Sequence, residues 1–477
     1  MSDNDQDQLC DIGLIGLGVM GRNLLLNMAE HGFSVAGYDN DKSKVEEVAN
    51  EPTPNGKIWA ADDLRRFILM LKKPRAIMML VPAGSPVDSV INDLTGLVEA
   101  DDLIIDAGNS YFKDTDIRAR RLAEKRILFM GTGISGGEEG ARRGPSIMPG
   151  GPVKAYERVK PVFEAAAAKT DGDPCVAWLG PGSAGHFVKM VHNGIEYGFM
   201  QLIAEAYDLM KRFLGLNDET MQEVFSGWNK GVLNSFLIEI TAEIFGKVDE
   251  KTGIKLIDVI LDVARQKGTG MWTSQSAMEL QVPVPTIDMA VDLRNLSANE
   301  NQREMSARLL VRPIKLYRGN TGTFLNELEK ALYTAMILTY SQGMSLLSAA
   351  SEKYGYNLKP GTVARIWRGG CIIRASLLQD ILDAYRSKPD LPGLLLDPAL
   401  SQKIMDNQEN LRSIVSHAVE AGIPVPAMMA SLGYLDSIRS IWLPANLIQA
   451  QRDFFGAHMY ERIDTIGTFH TEWLGKQ

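Results

Sequence analysis

The stretch Ile12-Gly13-Leu14-Ile15-Gly16-Leu17-Gly18-Val19-Met20-Gly21 decides the fold of the first third of this chain. Ile12 to Ile15 is a short apolar run of strand type, and a helical run through Leu26 and Met28 follows the last glycine. Between them Gly16, Gly18 and Gly21 form the pattern G-x-G-x-x-G. Any tight turn can produce that spacing, so alone it is weak. Here a second strand, Phe33 to Tyr38, ends in Asp39, 18 positions after Gly21. Such a context suits a dinucleotide. Bare glycine backbone lets a pyrophosphate approach a helix N-terminus, and a carboxylate at the second strand end meets a ribose. The expected cofactor contacts are Gly16, Gly18, Val19, Met20 and Gly21 in the turn, Asp39 and Asn40 after the second strand, and Val81 and Asn109 at later strand ends.

Outward from this turn, Ala76 to Val81 and Leu103 to Ala107 read as further buried strands. Strands alternating with helices imply a parallel, doubly wound sheet, an α/β Rossmann-type domain. Asp106-Ala107-Gly108-Asn109-Ser110 closes one strand where ligands gather in such sheets. Gly131 to Gly137 and Pro145 to Gly151 read as loops whose N–H groups and hydroxyls face an anion or a cofactor ring. The turn Gly180-Pro181-Gly182-Ser183 marks the end of this domain, which is expected over 1–180.

Beyond it the pattern is almost wholly helical, over 181–443, before a tail at 444–477. At about 100° per residue, Val191, Ile195, Phe199, Leu202 and Ala206 form an apolar stripe, while Lys189, Asn193 and Glu196 share another face with His192 and Tyr197 beside them. A solvated Lys/Glu face is the ordinary reading. Against it, Gly185, Gly194 and Gly198 each cost about 1 kcal/mol relative to alanine, so a close approach must justify them. An amine, a carboxyl, an imidazole and an amide on neighbouring turns also suit acid–base work. The region looks duplicated. Lys189 to Gly215 aligns with Lys330 to Gly355, and Trp228-Asn229-Lys230-Gly231 with Trp367-Arg368-Gly369-Gly370, which sets Thr334 and Ile337 against Asn193 and Glu196.

Composition narrows the partners. A net charge of −9 gives no general attraction to nucleic acid or an anionic membrane, so an anion needs a local cationic cluster. Cys10, Cys175 and Cys371 are too scattered for a disulfide framework or a zinc spacing, and no metal ligand set is expected. No apolar run reaches the roughly 18 residues of a membrane span. The polar start, Met1 to Gln8, is unlike a signal peptide, so a cytoplasmic protein is expected. With no nucleophile elbow or metal motif, a cofactor must perform any redox step while side chains move protons.

Five further blocks carry a resemblance: Ser135-Gly136-Gly137-Glu138-Glu139-Gly140-Ala141, Gly144 to Gly151, Lys189 to Tyr197, Lys267-Gly268-Thr269-Gly270, and Gln449-Ala450-Gln451-Arg452-Asp453 with His458. Together they resemble the decarboxylating 6-phosphogluconate dehydrogenase family, in its long homodimeric form, over nearly the whole chain. The resemblance implies oxidation of 6-phospho-D-gluconate at C3 and loss of CO2 to give ribulose 5-phosphate. It implies Lys189 as base and then acid, Glu196 as the acid at C1, and His192 and Asn193 as their companions. Asn109, Ser135, Gly136 and Gly137 would hold the sugar acid. Tyr197, Lys267, Thr269 and Arg294 would hold the phosphate, with Arg452 and His458 from the tail of the partner subunit.

The chain departs from the family's pattern at several points. Asp39-Asn40-Asp41 stands where Asn-Arg-Ser or Asn-Arg-Thr is common, Gly18 replaces a frequent Ala, and Pro82 a frequent Lys. Met271 and Phe199 replace a usual Lys and Asp. A 2′-phosphate would meet Asp39 as a like charge, so NAD is the expected cofactor, with an NADP-preferring enzyme as the alternative. Lys42, Lys44 and Arg22 are the cations that could reverse this preference. The competing readings are another β-hydroxyacid dehydrogenase, which would leave the phosphate-binding cations unmatched, and a silent dinucleotide-binding scaffold, which would have no use for both Lys189 and Glu196.

Overall fold

The computed structural model describes residues 9–52 and 57–474, so the polar start, Met1 to Gln8, lies outside the described residues. The first domain runs β1 (Ile12–Ile15), α1 (Val19–Glu30), β2 (Ser34–Tyr38), α2 (Lys42–Ala49), β3 (Lys57–Ala61), α3 (Leu64–Leu69), β4 (Ala76–Met79), α4 (Ser85–Thr95), β5 (Leu103–Asp106), α5 (Phe112–Ala123), β6 (Leu128–Ser135), α6 (Gly137–Arg143), β7 (Ser146–Gly150) and α7 (Val153–Ala166). Its seven strands lie in the order β3-β2-β1-β4-β5-β6-β7. The order reverses between β1 and β4, and the glycine turn after β1 opens at that switch point. One apolar cluster, with Leu14, Leu24 and Met130, covers one side of the sheet, and another, with Phe67, Ile91 and Phe129, covers the other.

Two expectations are corrected here. The sheet is not wholly parallel, because β7 pairs antiparallel with β6. The glycine-rich runs expected as loops at 131–137 and 145–151 are largely these two strands. Their glycines answer to packing. A Cβ at Gly133 would lie 2.3 Å from the Cβ of Lys189, one at Gly131 2.7 Å from His186, and one at Gly150 2.3 Å from the backbone of Gly185. The strands are stripped of side chains so that a helix can lie directly on them.

That helix is α8 (Ala184–Asp208), which continues through a π-helical turn, Leu209–Phe213. Then follow α9 (Asp218–Trp228), α10 (Phe236–Gly246), α11 (Thr269–Glu279), α12 (Pro285–Ser297), α13 (Glu300–Leu309), α14 (Thr321–Tyr354), α15 (Pro360–Trp367), α16 (Leu377–Ser387), α17 (Pro398–Ala421), α18 (Pro426–Ile438) and α19 (Ala445–Gly456). The glycines of α8 are justified by protein contacts: a Cβ at Gly185 would lie 2.3 Å from Met148 O, at Gly194 2.5 Å from Thr273 and at Gly198 2.8 Å from Thr339. α8 and α14 lie side by side in the main core, where Phe199 packs edge-on against Tyr340 at 4.8 Å.

The helical region repeats. α10 and α16 are 11 residues each and begin 141 positions apart; α12 and α18 are 13 each at the same offset. Val284 and Val425 precede α12 and α18 with nearly identical backbone angles, and Pro opens both helices. Gly215 and Gly355, both at φ near +70°, end the two long arms. The two halves also cap one another. Gln342 of α14 accepts from Thr286 N at 3.1 Å, at the start of α12. Glu205 of α8 accepts from Ala427 N and Met428 N, at 2.8 and 2.9 Å, at the start of α18.

The tail is knit to itself. Asp453, fully buried, accepts from Met459 N, Thr471 N, Trp473 Nε1 and the His470 ring at 2.9–3.0 Å. Burial pushes its pKa up, but these hydrogen bonds win and hold it at about 2. Among the described residues no helix is long and apolar enough to cross a membrane.

Candidate active site

α8 carries the site because it lies across the bare strands of the first domain and is flanked by helices of the second. Lys189 is 6% exposed and Asn193 8%, while Glu196 keeps a fifth of its side chain in solvent. Lys189 Nζ lies 3.5 Å from His192 Nδ1, which is 3.1 Å from Asn193 Oδ1; His192 Nε2 reaches Ser135 Oγ at 3.1 Å. Glu196 Oε2 stands 3.8 Å from His192 Nδ1. Gly136 and Gly137 follow Ser135 with positive φ, at the start of α6.

Burial sets the charges. It pushes the Lys189 pKa down, with Glu196 and Cys371 only partly opposing. It pushes the Glu196 pKa up, against Lys189 and Arg294. His192 is driven well below its usual range by burial and then by Lys189, so it is neutral. A Lys shifted toward its free amine beside a Glu shifted toward its acid is the pairing that acid–base chemistry near neutral pH requires.

A second set gathers beyond Glu196. Tyr197 is buried, and the Arg294 guanidinium stacks on its ring at 3.4 Å. Thr269 opens α11, which is held to α8 by a hydrogen bond from Thr273 Oγ1 to Met190 O at 2.9 Å. Lys267 stands exposed just before it. Asn109 is exposed in the loop after β5. Arg452 and His458 are exposed on the tail, and Arg452 Nη1 donates to Gln449 Oε1 at 2.9 Å within the same helix. Among the described residues no group of three or more His, Cys, Asp and Glu could hold a metal.

The site also includes residues that were not expected. Ile372 N donates to Ser135 Oγ at 3.4 Å, Trp367 packs edge-on against His192 at 5.7 Å, and buried Cys371 lies near enough to affect Lys189. Their segment was legible only as part of the repeat.

At the glycine turn the geometry fits a pyrophosphate. A Cβ at Gly18 would meet nothing within 4 Å, whereas one at Gly21 would strike Gly16 O at 1.8 Å. The loop is therefore tight inside and open outside, and no side chain caps α1. Val19 is exposed and Met20 half-buried beside it; Val81 is half-buried at the end of the β4 strand region.

Comparison with known proteins accounts for both domains. The profile described as the NAD binding domain of 6-phosphogluconate dehydrogenase matches residues 11–180, and that of the enzyme's C-terminal domain matches 185–473. The chain is 52% identical to the NADP(+)-dependent, decarboxylating 6-phosphogluconate dehydrogenase of Bacillus subtilis, over 97% of this chain and 99% of that one. It is 49% identical to the decarboxylating enzyme of Escherichia coli, over 97% and 99%. The Plasmodium falciparum 6-phosphogluconate dehydrogenase, solved alone, with its cofactor NADP+ and with its substrate 6-phosphogluconate, superposes with a TM-score of 0.94 at 44% identity, over 97% of this chain and all of that one.

These relatives correct the expectation of NAD, since the cofactor named for the Bacillus and Plasmodium enzymes is NADP. The physical reason lies at Asp39. Its carboxylate is 8% exposed and already engaged: Oδ2 accepts from Leu17 N at 2.8 Å and Oδ1 from Asp41 N at 3.0 Å. Lys44 Nζ stands 3.7 Å from both Asp39 and Asp41. The charge read as repelling a 2′-phosphate thus braces the glycine turn and has a cation beside it, while Asn40 is exposed. Arg22 is held by Glu47 and Glu51. On the two profile matches and on identity over nearly its whole length, the chain belongs to the 6-phosphogluconate dehydrogenase family of decarboxylating enzymes.

Proposed function

We propose that this chain oxidises 6-phospho-D-gluconate at C3 with NADP, then releases CO2 and D-ribulose 5-phosphate. The observation that carries this reading is the buried Lys189–His192–Asn193–Glu196 set, with Arg294 stacked on Tyr197 beside it. NADP, when bound, accepts the hydride from C3. Lys189, its amine made available by burial, takes the hydroxyl proton as the ketone forms. The same proton returns to the ketone oxygen as the C1 carboxylate leaves as CO2 and its bonding electrons pass into the enediol. Glu196, which burial shifts toward its acid form, delivers a proton to the carbon that becomes C1 of the product while Lys189 takes the enediol hydroxyl proton and the ketone re-forms. That proton then passes from Lys189 back to Glu196, which resets both groups. Asn109, Ser135, Gly136, Gly137, His192 and Asn193 hold the sugar acid, and Tyr197, Lys267, Thr269 and Arg294 hold the phosphate.

The enzyme is a homodimer in this reading, and the tail of each subunit completes the other's phosphate site through Arg452 and His458. The supporting observation is that Ile441, Trp442, Leu447, Ile448, Phe454 and Phe455 are exposed on one chain. A surface this apolar suits an interface. The three cysteines are free and buried, in keeping with work in the cytoplasm. Steady-state turnover with 6-phosphogluconate and NADP tests the reading. CO2 release and ribulose 5-phosphate in equal amounts are expected; no reduction of NADP would overturn it.

A further inference from the structure

Two loops meet at the C-terminal edge of the sheet, one after β4 and one after β5, and each contains an expected cofactor contact, Val81 or Asn109. One buried side chain joins them. Arg118 of α5 is 3% exposed. Its Nε donates to Asp88 Oδ1 at 2.8 Å, and its Nη2 donates to Asp88 Oδ2 and Gly84 O, both at 3.1 Å, which fixes the start of α4. Its Nη1 turns the other way, to Ser110 Oγ at 3.4 Å and toward Asp106 Oδ2 at 3.6 Å. Asp106, fully buried at the end of β5, accepts from Gly108 N at 3.1 Å and from Ser110 Oγ at 2.6 Å. Its carboxylate thereby grips the loop on both sides of Asn109. The loops also touch directly: a Cβ at Gly108 would lie 3.1 Å from Val81 O.

The same residue is linked to the catalytic helix. The Asp106 carbonyl pairs with His186 Nε2 at 3.0 Å, and His186 Nδ1 pairs with Thr115 Oγ1 at 2.7 Å. Since a carbonyl can only accept, Nε2 carries the hydrogen. Burial pushes the His186 pKa down, so the ring is neutral and Nδ1 accepts from Thr115. His186 precedes Lys189 by three residues, close to one turn of α8. The end of β5 is thus tied to the helix beside the proposed base.

We propose that Arg118, Asp106 and His186 are positioning residues, forming a clamp that fixes the two cofactor-facing loops against Lys189 and so sets the geometry of hydride transfer. This rests on the reading that Lys189 deprotonates the carbon-bound hydroxyl that is oxidised. Apolar residues can stabilise a core as well as a buried ion pair does, so the value of these charges is directional. A planar guanidinium has donors on several edges and can hold two loops at once, which an ammonium cannot. Alignment is where such a clamp matters, because a misplacement of about 1 Å can cost about 100-fold in rate.

The test compares Arg118→Lys, His186→Leu and His186→Gln with wild type. In Arg118→Lys, kcat should fall about 10- to 100-fold with KM for 6-phosphogluconate within about twofold. The primary isotope effect with substrate deuterated at C3 should rise as hydride transfer becomes limiting. In the cofactor-free protein, amide exchange at Gly108 to Ser110 should accelerate. His186→Leu should share the kinetic defect, whereas His186→Gln, which restores a donor near Nε2, should recover most of it. Should His186→Leu not fold, Arg118→Lys and a near-wild-type isotope effect in His186→Gln decide the matter. An unchanged isotope effect in Arg118→Lys, or His186→Gln as impaired as a folded His186→Leu, would overturn the clamp. Failure of the wild type to turn over 6-phosphogluconate would instead overturn the functional reading and the clamp with it.

Discussion

α8 and α14 are the two long arms of a duplicated helical unit, and they show what duplication keeps and discards. Both end near a left-handed glycine, both stand in one core, and both reach across to cap a helix of the other half. At an offset of 141, Lys189 corresponds to Lys330, Asn193 to Thr334 and Glu196 to Ile337. Thr334 bonds back to its own helix at Lys330 O, and Ile337 is fully buried in the apolar core. Only α8 lies on the bare strands β6 and β7, so only its polar face is completed by Ser135 and Ile372 N. The difference shows that the scaffold does not make the site; contact with the first domain does.

The largest expected effect tests this contrast directly. Lys189→Ala should lower kcat for both NADP reduction and CO2 release by at least the 10²–10⁴-fold typical of a lost acid–base group. Lys330→Ala, at the matching place in the other arm, should stay within about twofold in the same assay. Comparable losses in both variants would show the two lysines to be structural equivalents.

Glu196→Gln should follow, with the loss again on the order of 10²–10⁴-fold and falling on ribulose 5-phosphate release. The pH profile separates its role. Activity should rise as Lys189 loses its proton, at a pH below the usual lysine range, and fall as Glu196 loses its own, above the usual carboxylate range. The Gln variant keeps the first limb and should lack the second. A profile of kcat against pH with both limbs intact would remove Glu196 from the acid role.

How much of this was legible in the sequence depended on whether the signal was local. The glycine turn, β1, β2 and Asp39 lie within 28 residues of one another and were readable from spacing. The polar face of α8 was readable from helical period. Gly131, Gly133 and Gly150 were not readable as strand residues, because what strips them of side chains is a helix 35 to 56 residues further on. Asp39 misled for a related reason: its position was correct, but its oxygens are turned inward to Leu17 N and Asp41 N. Ile372 and Cys371 reach the site from the second repeat across a long chain separation, which no local pattern reports.

The reciprocal caps offer a smaller test of the two halves. Gln342 is fully buried and receives Thr286 N while donating to Thr286 Oγ1 at 2.9 Å. Its counterpart Gln201 is half-buried and donates to Glu205 at 3.1 Å. Gln342→Leu should cost about 1–3 kcal/mol by leaving the Thr286 N–H without its acceptor, while Gln201→Leu should cost less. Denaturant midpoints of the two variants check this order, and equal losses would mean that the caps contribute nothing beyond packing.

The smallest effect concerns Glu205, which corresponds to Leu346 in the other arm. Burial raises its pKa from an ordinary 4.5 to about 7, outweighing the hydrogen bonds from Ala427 N, Met428 N and Gln201. A raised folded-state pKa means that the folded protein holds this proton more tightly than the unfolded chain. The resulting stability is full below about pH 4.5 and is lost as pH rises through about 7. Glu205→Gln removes the titration. It also carries a fixed penalty, because its amide offers one acceptor to two backbone N–H donors. The Tm of the variant relative to wild type should therefore improve by about 1–3 °C between pH 5 and pH 8, whatever its starting offset. A constant offset across that range would mean that the two N–H donors keep Glu205 ionised throughout, so that the cap on α18 is a permanent charge where its partner on α12 is a neutral amide.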